Sequence, residues 1–246
     1  LTSVTEEWAV ATLSGPNASK ILKTAGIDIS LDPNDFPFMS MQTAHIAGLP
    51  VRIFRISFTG ELSYEINIRA RHGLALWTLL MEAGAEHGVT PYGTEAMHVL
   101  RAEKGFIIVG QETDGSVTPQ DLGMDWIVSK TKPDFIGKRA LARASMADEN
   151  RKQLVGLATR ERTRVIPEGA HAVLDPNQPM PMEMLGQVTS SYYSPNVSAS
   201  IAMAMLKGGR SLIGGTVYLP MLDGDIIEAE VVEPIFFDPN GERING

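Results

Sequence analysis

The carboxylate best placed to do chemistry is Glu65, in the stretch Thr59-Gly60-Glu61-Leu62-Ser63-Tyr64-Glu65-Ile66. Tyr64, Ile66 and Ile68 alternate with Glu65 and Asn67, the period of a half-buried strand. Glu65 then points away from the apolar trio and is either solvated or aimed into a cleft. Other chemistries find no support. The chain has no cysteine, hence no disulfide, thiolate nucleophile or Cys-ligated zinc. Its 5 histidines show neither His-x-x-x-His nor His-Glu spacing, so no metal site is expected. Gly208-Gly209 and Gly214-Gly215 lack the strand before and helix after that a dinucleotide fingerprint needs.

The elements that must position Glu65 are legible around it. Val51–Ile56 is β-branched and aromatic enough to form the strand before the turn. Upstream, Trp8–Leu13 reads as a strand, Ser14-Gly15-Pro16-Asn17 as a turn, and 18–25 as a short helix stopped by Gly26. Residues 32–38 form a loop. Downstream, a helix over 72–87 carries Leu76, Leu79, Leu80 and Ala83 on one face, and Gly88 ends it. A second helix starts near Thr94, turns Ala96, Val99 and Leu100 inward and stops at Gly105. Residues 110–126 are mostly loop, and 135–146 open a short helix. The charged stretch 147–152 marks the expected boundary between domains 1–148 and 149–246. Beyond it, six strands are expected, at 153–159, 172–174, 185–191, 201–206, 216–219 and 228–232, with turns between them. The expected fold class is therefore α+β: a partial ferredoxin-like layer followed by a small antiparallel β-barrel.

Composition bounds the function. At 246 residues, with 43% hydrophobic and 20% charged residues, the chain can bury a substantial core. A formal net charge of -8 argues against a duplex nucleic-acid binder. No apolar run reaches membrane-spanning length, and the start lacks the pattern of a signal peptide. No nucleic acid or membrane partner is expected, and a cytoplasmic, reducing location fits.

The motifs, taken in order, resemble those of the folate-binding aminomethyltransferase family, which includes the glycine-cleavage aminomethyltransferase and the C-terminal parts of sarcosine and dimethylglycine oxidases. The T-G-E-x-x-Y-E-I at 59–66 resembles its T-G-E-x-G-[YF]-E-I, and Ser14–Ala18 its Q-G-P-x-A. Val99–Gly105 resembles L-R-L-E-x-G, Val109–Glu112 Y-G-x-E, and Thr118–Trp126 T-P-x-E-x-G-L-x-W. Phe135–Leu141 resembles F-I-G-K-x-A-L, and Gly186–Pro195 matches G-x-V-T-S-x-x-x-S-P. Tyr192-Tyr193 and Gly208-Gly209-Arg210 lean towards the sarcosine oxidase large-subunit branch. The resemblance implies that Glu65 accepts hydrogen bonds from the pterin of tetrahydrofolate, a ring edge whose N–H and amino donors a carboxylate can take together. Phe58, Tyr64, Phe106 and Trp126 are candidates to sandwich the ring, with alternation also allowing Tyr64 a place in the core. Arg101 could reach an anionic group, or pair with the neighbours of Glu65 or with Glu103. Phe58 stands where many relatives have tyrosine, and Met97 where the family has an arginine.

The resemblance further implies a segment ahead of Trp8 that carries a catalytic aspartate and part of the folate pocket, so no catalytic residue is assigned here and the chain alone is not expected to turn over. FAD, FMN and NAD are expected only on missing segments or other subunits of a hetero-oligomeric oxidase. The implied function is capture of a one-carbon unit on tetrahydrofolate as 5,10-methylenetetrahydrofolate. A stand-alone aminomethyltransferase or demethylase, and a non-catalytic folate-binding or assembly module, are the alternatives.

Overall fold

A computed structural model describes residues 1–245. The chain forms two compact units, one of Leu1–Leu100 with the last residues from Asn240, the other of Arg101–Pro239. The boundary expected near 148 falls inside the second unit. There Arg151 bonds the Asp121 carboxylate and the Ser116 and Ser145 carbonyls.

The first unit is built on one antiparallel sheet. Its strands are β1 (Trp8–Ser14), β2 (Ser40–Ile46), β3 (Leu49–Arg55) and β4 (Ser63–Arg69), in the order β1-β4-β3-β2. The ferredoxin-like layer expected here thus takes the form of a β2-β3-β4 meander, with β1 returned antiparallel beside β4. Helices α1 (Ala18–Thr24) and α2 (Gly73–Gly84) cover one face. That face carries the core: Ile53, Tyr64, Ile66 and Ile68 are fully buried, packed with Leu22, Phe36, Leu76 and Leu80.

Strand β2 was not legible in the sequence. Its inward residues are Gln42, Ala44 and Ile46, too mixed to show a period. It forms because Ala47 and Gly48 both take positive φ, the two-residue turn that joins twisted strands. The last residues pack on this unit: Arg243 bonds Glu61 at 2.5 Å, and buried Arg55 donates to the carbonyls of Phe36 and Asn245.

Helix α3 (Thr94–Glu103) begins as expected, but Ala96 is exposed, and Val99 and Leu100 are only half-buried. The buried residues are Arg101, Ala102 and Glu103. The inward residues lie at the end of the helix, where Arg101 pairs with Glu112 and Glu103 accepts hydrogen bonds from Ser194 and Asn196 on either side of Ala102.

In the second unit, two short helices, α4 (Lys138–Leu141) and α5 (Ala144–Ala147), stand where a single one was expected. Then come β5 (Lys152–Thr159), β6 (His171–Ala172), β7 (Gly186–Ser194), β8 (Ala199–Lys207), β9 (Thr216–Pro220) and β10 (Ile226–Val232). Every expected strand is present. Their order is β6-β7-β8-β5-β10-β9, antiparallel throughout. Paired backbone bonds between Val173 and Tyr218, at 2.8 and 3.0 Å, close the ends into a barrel, which removes the free edges. Strand β8 is buried on both faces. Ala202, Ala204 and Leu206 fill the interior with Val155, Leu157 and Val231, while Ile201, Met203 and Met205 pack outward against Ala102 and Leu154. Gly186 allows β7 to approach β8: a Cβ there would stand 1.9 Å from the Met205 carbonyl oxygen.

Candidate functional site

Glu65 lies near the start of β4, on the sheet face opposite the core. Cross-strand partners share a face, so its neighbours are Thr12 on β1 and Phe54 on β3. The side chain is half-buried, and its carboxylate makes no hydrogen bond or ion pair with any described residue. A carboxylate wedged between strands without a donor has given up part of its hydration and gained no protein partner. It can accept two parallel N–H donors from a ligand.

The other expected residues divide. Tyr64 faces the core, as alternation allowed. It is fully buried, its ring centroid lies 6.0 Å from that of Phe36, and its hydroxyl is 2.9 Å from Ser19 Oγ. It is therefore withdrawn as a ring contact, because successive residues of a strand point to opposite faces. Phe58 is half-buried in the connection between β3 and β4. Phe106 is half-buried and Trp126 is 71% exposed, both in the second unit. Phe54 is an aromatic on the Glu65 face that sequence reasoning did not single out. The hairpin register could have found it, since it sits directly opposite Glu65.

Arg101 is a structural group. It is fully buried in the second unit, where Nη1 donates to Glu112 Oε2 at 3.0 Å and to the Phe106 carbonyl at 3.0 Å. Nη2 donates to Ser190 Oγ, and that hydroxyl donates to the other oxygen of Glu112. The Ile108 N–H completes the carboxylate at 2.7 Å. A bulge at Thr189 sets this register, so Ser190 and not its neighbour meets the pair. Glu103, the alternative partner for Arg101, instead accepts from Ser194 and Asn196.

Each unit also carries a cleft. One of about 640 Å³ runs along the open edge of β1, lined by Thr12, Ser14, Trp77, Met81, Tyr92 and Met97 among others. Met97, standing where an arginine was expected, leaves that wall without a cation. The other, of about 440 Å³, belongs to the second unit and is lined by Glu112, Asp121 and Arg151 among others, whose charges already pair internally. Burial works to raise the Asp121 carboxyl, but bonds from Arg151 and Thr118 outweigh it and hold the group below its ordinary range. Among the described residues no group of three or more metal-ligating side chains converges, and no helix is long and apolar enough to cross a membrane.

With this geometry in hand, comparison with known proteins is informative. Residues 1–132 match the GCVT N-terminal domain, and residues 152–238 the glycine cleavage T-protein C-terminal barrel domain. The chain is 46% identical to sarcosine oxidase subunit alpha of Corynebacterium sp. strain P-1, over the whole chain and 25% of that protein. It is 32% identical to an aminomethyltransferase of Halothermothrix orenii, over 93% of this chain and 60% of that one. Among solved structures it is similar to the glycine cleavage system aminomethyltransferase T from Bartonella henselae. The TM-score is 0.79 at 26% identity, covering 95% of this chain and 60% of that one. The chain thus spans about a quarter of the length of the sarcosine oxidase subunits it matches.

Proposed function

The chain belongs to the glycine-cleavage T-protein family, and from that premise we propose that it is the folate-binding region of a sarcosine-oxidase-like amine oxidase. One observation carries the reading: the half-buried, unpartnered carboxylate of Glu65, flanked by Thr12 and Phe54 on the open face of the sheet. Its acceptor pair fits the donor edge of a pterin, and Phe54 supplies an aromatic surface beside it. Bound tetrahydrofolate would supply the nucleophilic nitrogen that takes up a one-carbon unit at the oxidation level of formaldehyde, giving 5,10-methylenetetrahydrofolate.

The chain's own share is positioning. Glu65 fixes the ring edge, and the strand carrying it is anchored by Ile66 and Ile68 in the core, so the backbone beneath the carboxylate is held in place. Of the two donor readings, uptake from amine oxidation is favoured over transfer from a carrier-bound aminomethyl group. The identity to the oxidase subunit is 46%, against 32% to the aminomethyltransferase.

The test is calorimetric titration of tetrahydrofolate into the full-length polypeptide and its Glu65→Gln variant. Loss of the charge-assisted bonds should weaken binding by about 1.5–3 kcal/mol. Equal affinity in the two proteins would remove Glu65 from the site. Methylenetetrahydrofolate formation from sarcosine, slowed in the same variant, would support the oxidase reading. Turnover with an aminomethylated carrier and none with sarcosine would replace it with transfer.

A further inference from the structure

We propose that residues 240–245 act as a strap on the turn ahead of Glu65, with Arg243 as a positioning residue for the carboxylate that holds the pterin, a reading that rests on the function proposed above. Strand β3 ends at Arg55 and β4 begins at Ser63, so the connection between them runs over 56–62. The strap grips this connection at both ends. At one end Arg243 Nε donates to Glu61 Oε1 at 2.5 Å, and the Glu61 side chain is 18% exposed. At the other, Arg55 Nη2 donates to the Asn245 carbonyl at 3.5 Å, while Nη1 donates to the Phe36 carbonyl at 2.8 Å. Arg55 is 2% exposed, its Nε has no acceptor, and no carboxylate among the described residues pairs with it. A guanidinium kept from water without a counter-charge depends on the carbonyls aimed at it, and the strap supplies one of the two.

The position of Glu65 in its ladder makes this grip matter. The pairs of β3 with β4 run from Val51 and Ile68 to Phe54 and Glu65, so Glu65 stands in the last pair before the turn. The end of a ladder opens more readily than its middle, and what restrains it is the turn beyond. Within that turn Gly60 takes a φ of 81°, and its N–H donates to Ser57 Oγ at 3.0 Å. Glu61 is the only charged residue of 56–62, and its counter-charge comes from Arg243 in the strap. With the turn held, Phe54 and Glu65 stay paired and the carboxylate keeps one position before any ligand arrives. With the turn free, only the fraction of molecules in which that pair is closed can bind, and the observed affinity falls by that fraction.

The experiment follows amide hydrogen exchange and tetrahydrofolate binding in the full-length polypeptide. Its variants are Arg243→Gln, Glu65→Gln, the two together, and the charge swap of Glu61→Arg with Arg243→Glu. The Arg243 side chain is 47% exposed, so its variants should fold, and an unchanged circular dichroism spectrum checks this. Arg243→Gln should speed exchange in 56–62 of the ligand-free protein, leave Ile66 and Ile68 protected, and weaken tetrahydrofolate roughly fivefold. The swap should restore both, and Arg243→Gln should cost little more in the Glu65→Gln background, because the two residues act on one contact. Wild-type exchange or wild-type binding in Arg243→Gln, no recovery in the swap, or a loss that simply adds to that of Glu65→Gln overturns the strap and leaves the Glu65 reading standing. Unchanged tetrahydrofolate binding in Glu65→Gln overturns both.

Discussion

Glu65 and Glu112 are two glutamates from two motifs of the same family, and their surroundings differ in one respect that decides their roles. Glu112 is fully buried in the second unit, and both oxygens are occupied by Arg101, Ser190 and the Ile108 N–H. Glu65 is half-buried on an open sheet face in the first unit, and neither oxygen has a partner. A buried charge without its counter-charge is costly, so Glu112 and Arg101 must satisfy each other and have nothing left to offer. A carboxylate at the edge of water can stay unpaired at small cost and keep its acceptors for a ligand. The motif around Glu112 therefore builds the protein, and the motif around Glu65 leaves a carboxylate open to solvent. The same holds for the other motifs of the second unit: Glu103 serves Ser194 and Asn196, and Arg210 serves the carbonyls of Gln120 and Asp121.

The sharpest way to break this contrast is to neutralise each glutamate and measure stability. Glu112→Ala strands the Arg101 guanidinium in the interior and should cost about 3–5 kcal/mol in urea unfolding. A loss below 1 kcal/mol would show the pair to be hydrated and the contrast false. Next in size, Gly186→Ala pushes a methyl group into the Met205 carbonyl between β7 and β8 and should cost about 1–3 kcal/mol. Wild-type stability there would mean the two strands can part without loss.

A pH titration sharpens the comparison from the other side. Asp121 is held below its ordinary pKa, so its contribution is present above about pH 4 and is lost as the pH falls through the lower, folded value. Asp121→Asn should be less stable than wild type at neutral pH, and the difference should shrink in acid, read from thermal midpoints. A gap that widens in acid would reverse the assigned direction. The smallest effect is expected at Glu65: Glu65→Gln should change stability by no more than about 0.5 kcal/mol, as at a surface position without partners. A larger loss would mean that the carboxylate supports the fold after all.

Much of this was legible in the chain alone. Alternation in Tyr64–Ile68 put Glu65 on its own face, and short strands punctuated by turns in the last third announced the barrel, because both rest on periods that local sequence carries. The α+β class and the family followed from the same local patterns. What local pattern could not carry was pairing. Strand β2 needed the Ala47-Gly48 turn to show itself, and the partner of Arg101 lies beyond the end of its helix, at Glu112. The compact units part at Leu100–Arg101, and the bond from Arg151 to Asp121 ties the charged stretch to earlier residues of its own unit, a link no local pattern announces. Phe54 came to share a face with Glu65 only when β3 took its register against β4, and Trp8 met Arg52 and Arg69 only when β1 closed on the same strand. The residue types and their faces belong to the sequence, since side-chain direction repeats along the chain; which residues meet across strands was decided by the tertiary fold, since hydrogen-bond register depends on segments far apart in number.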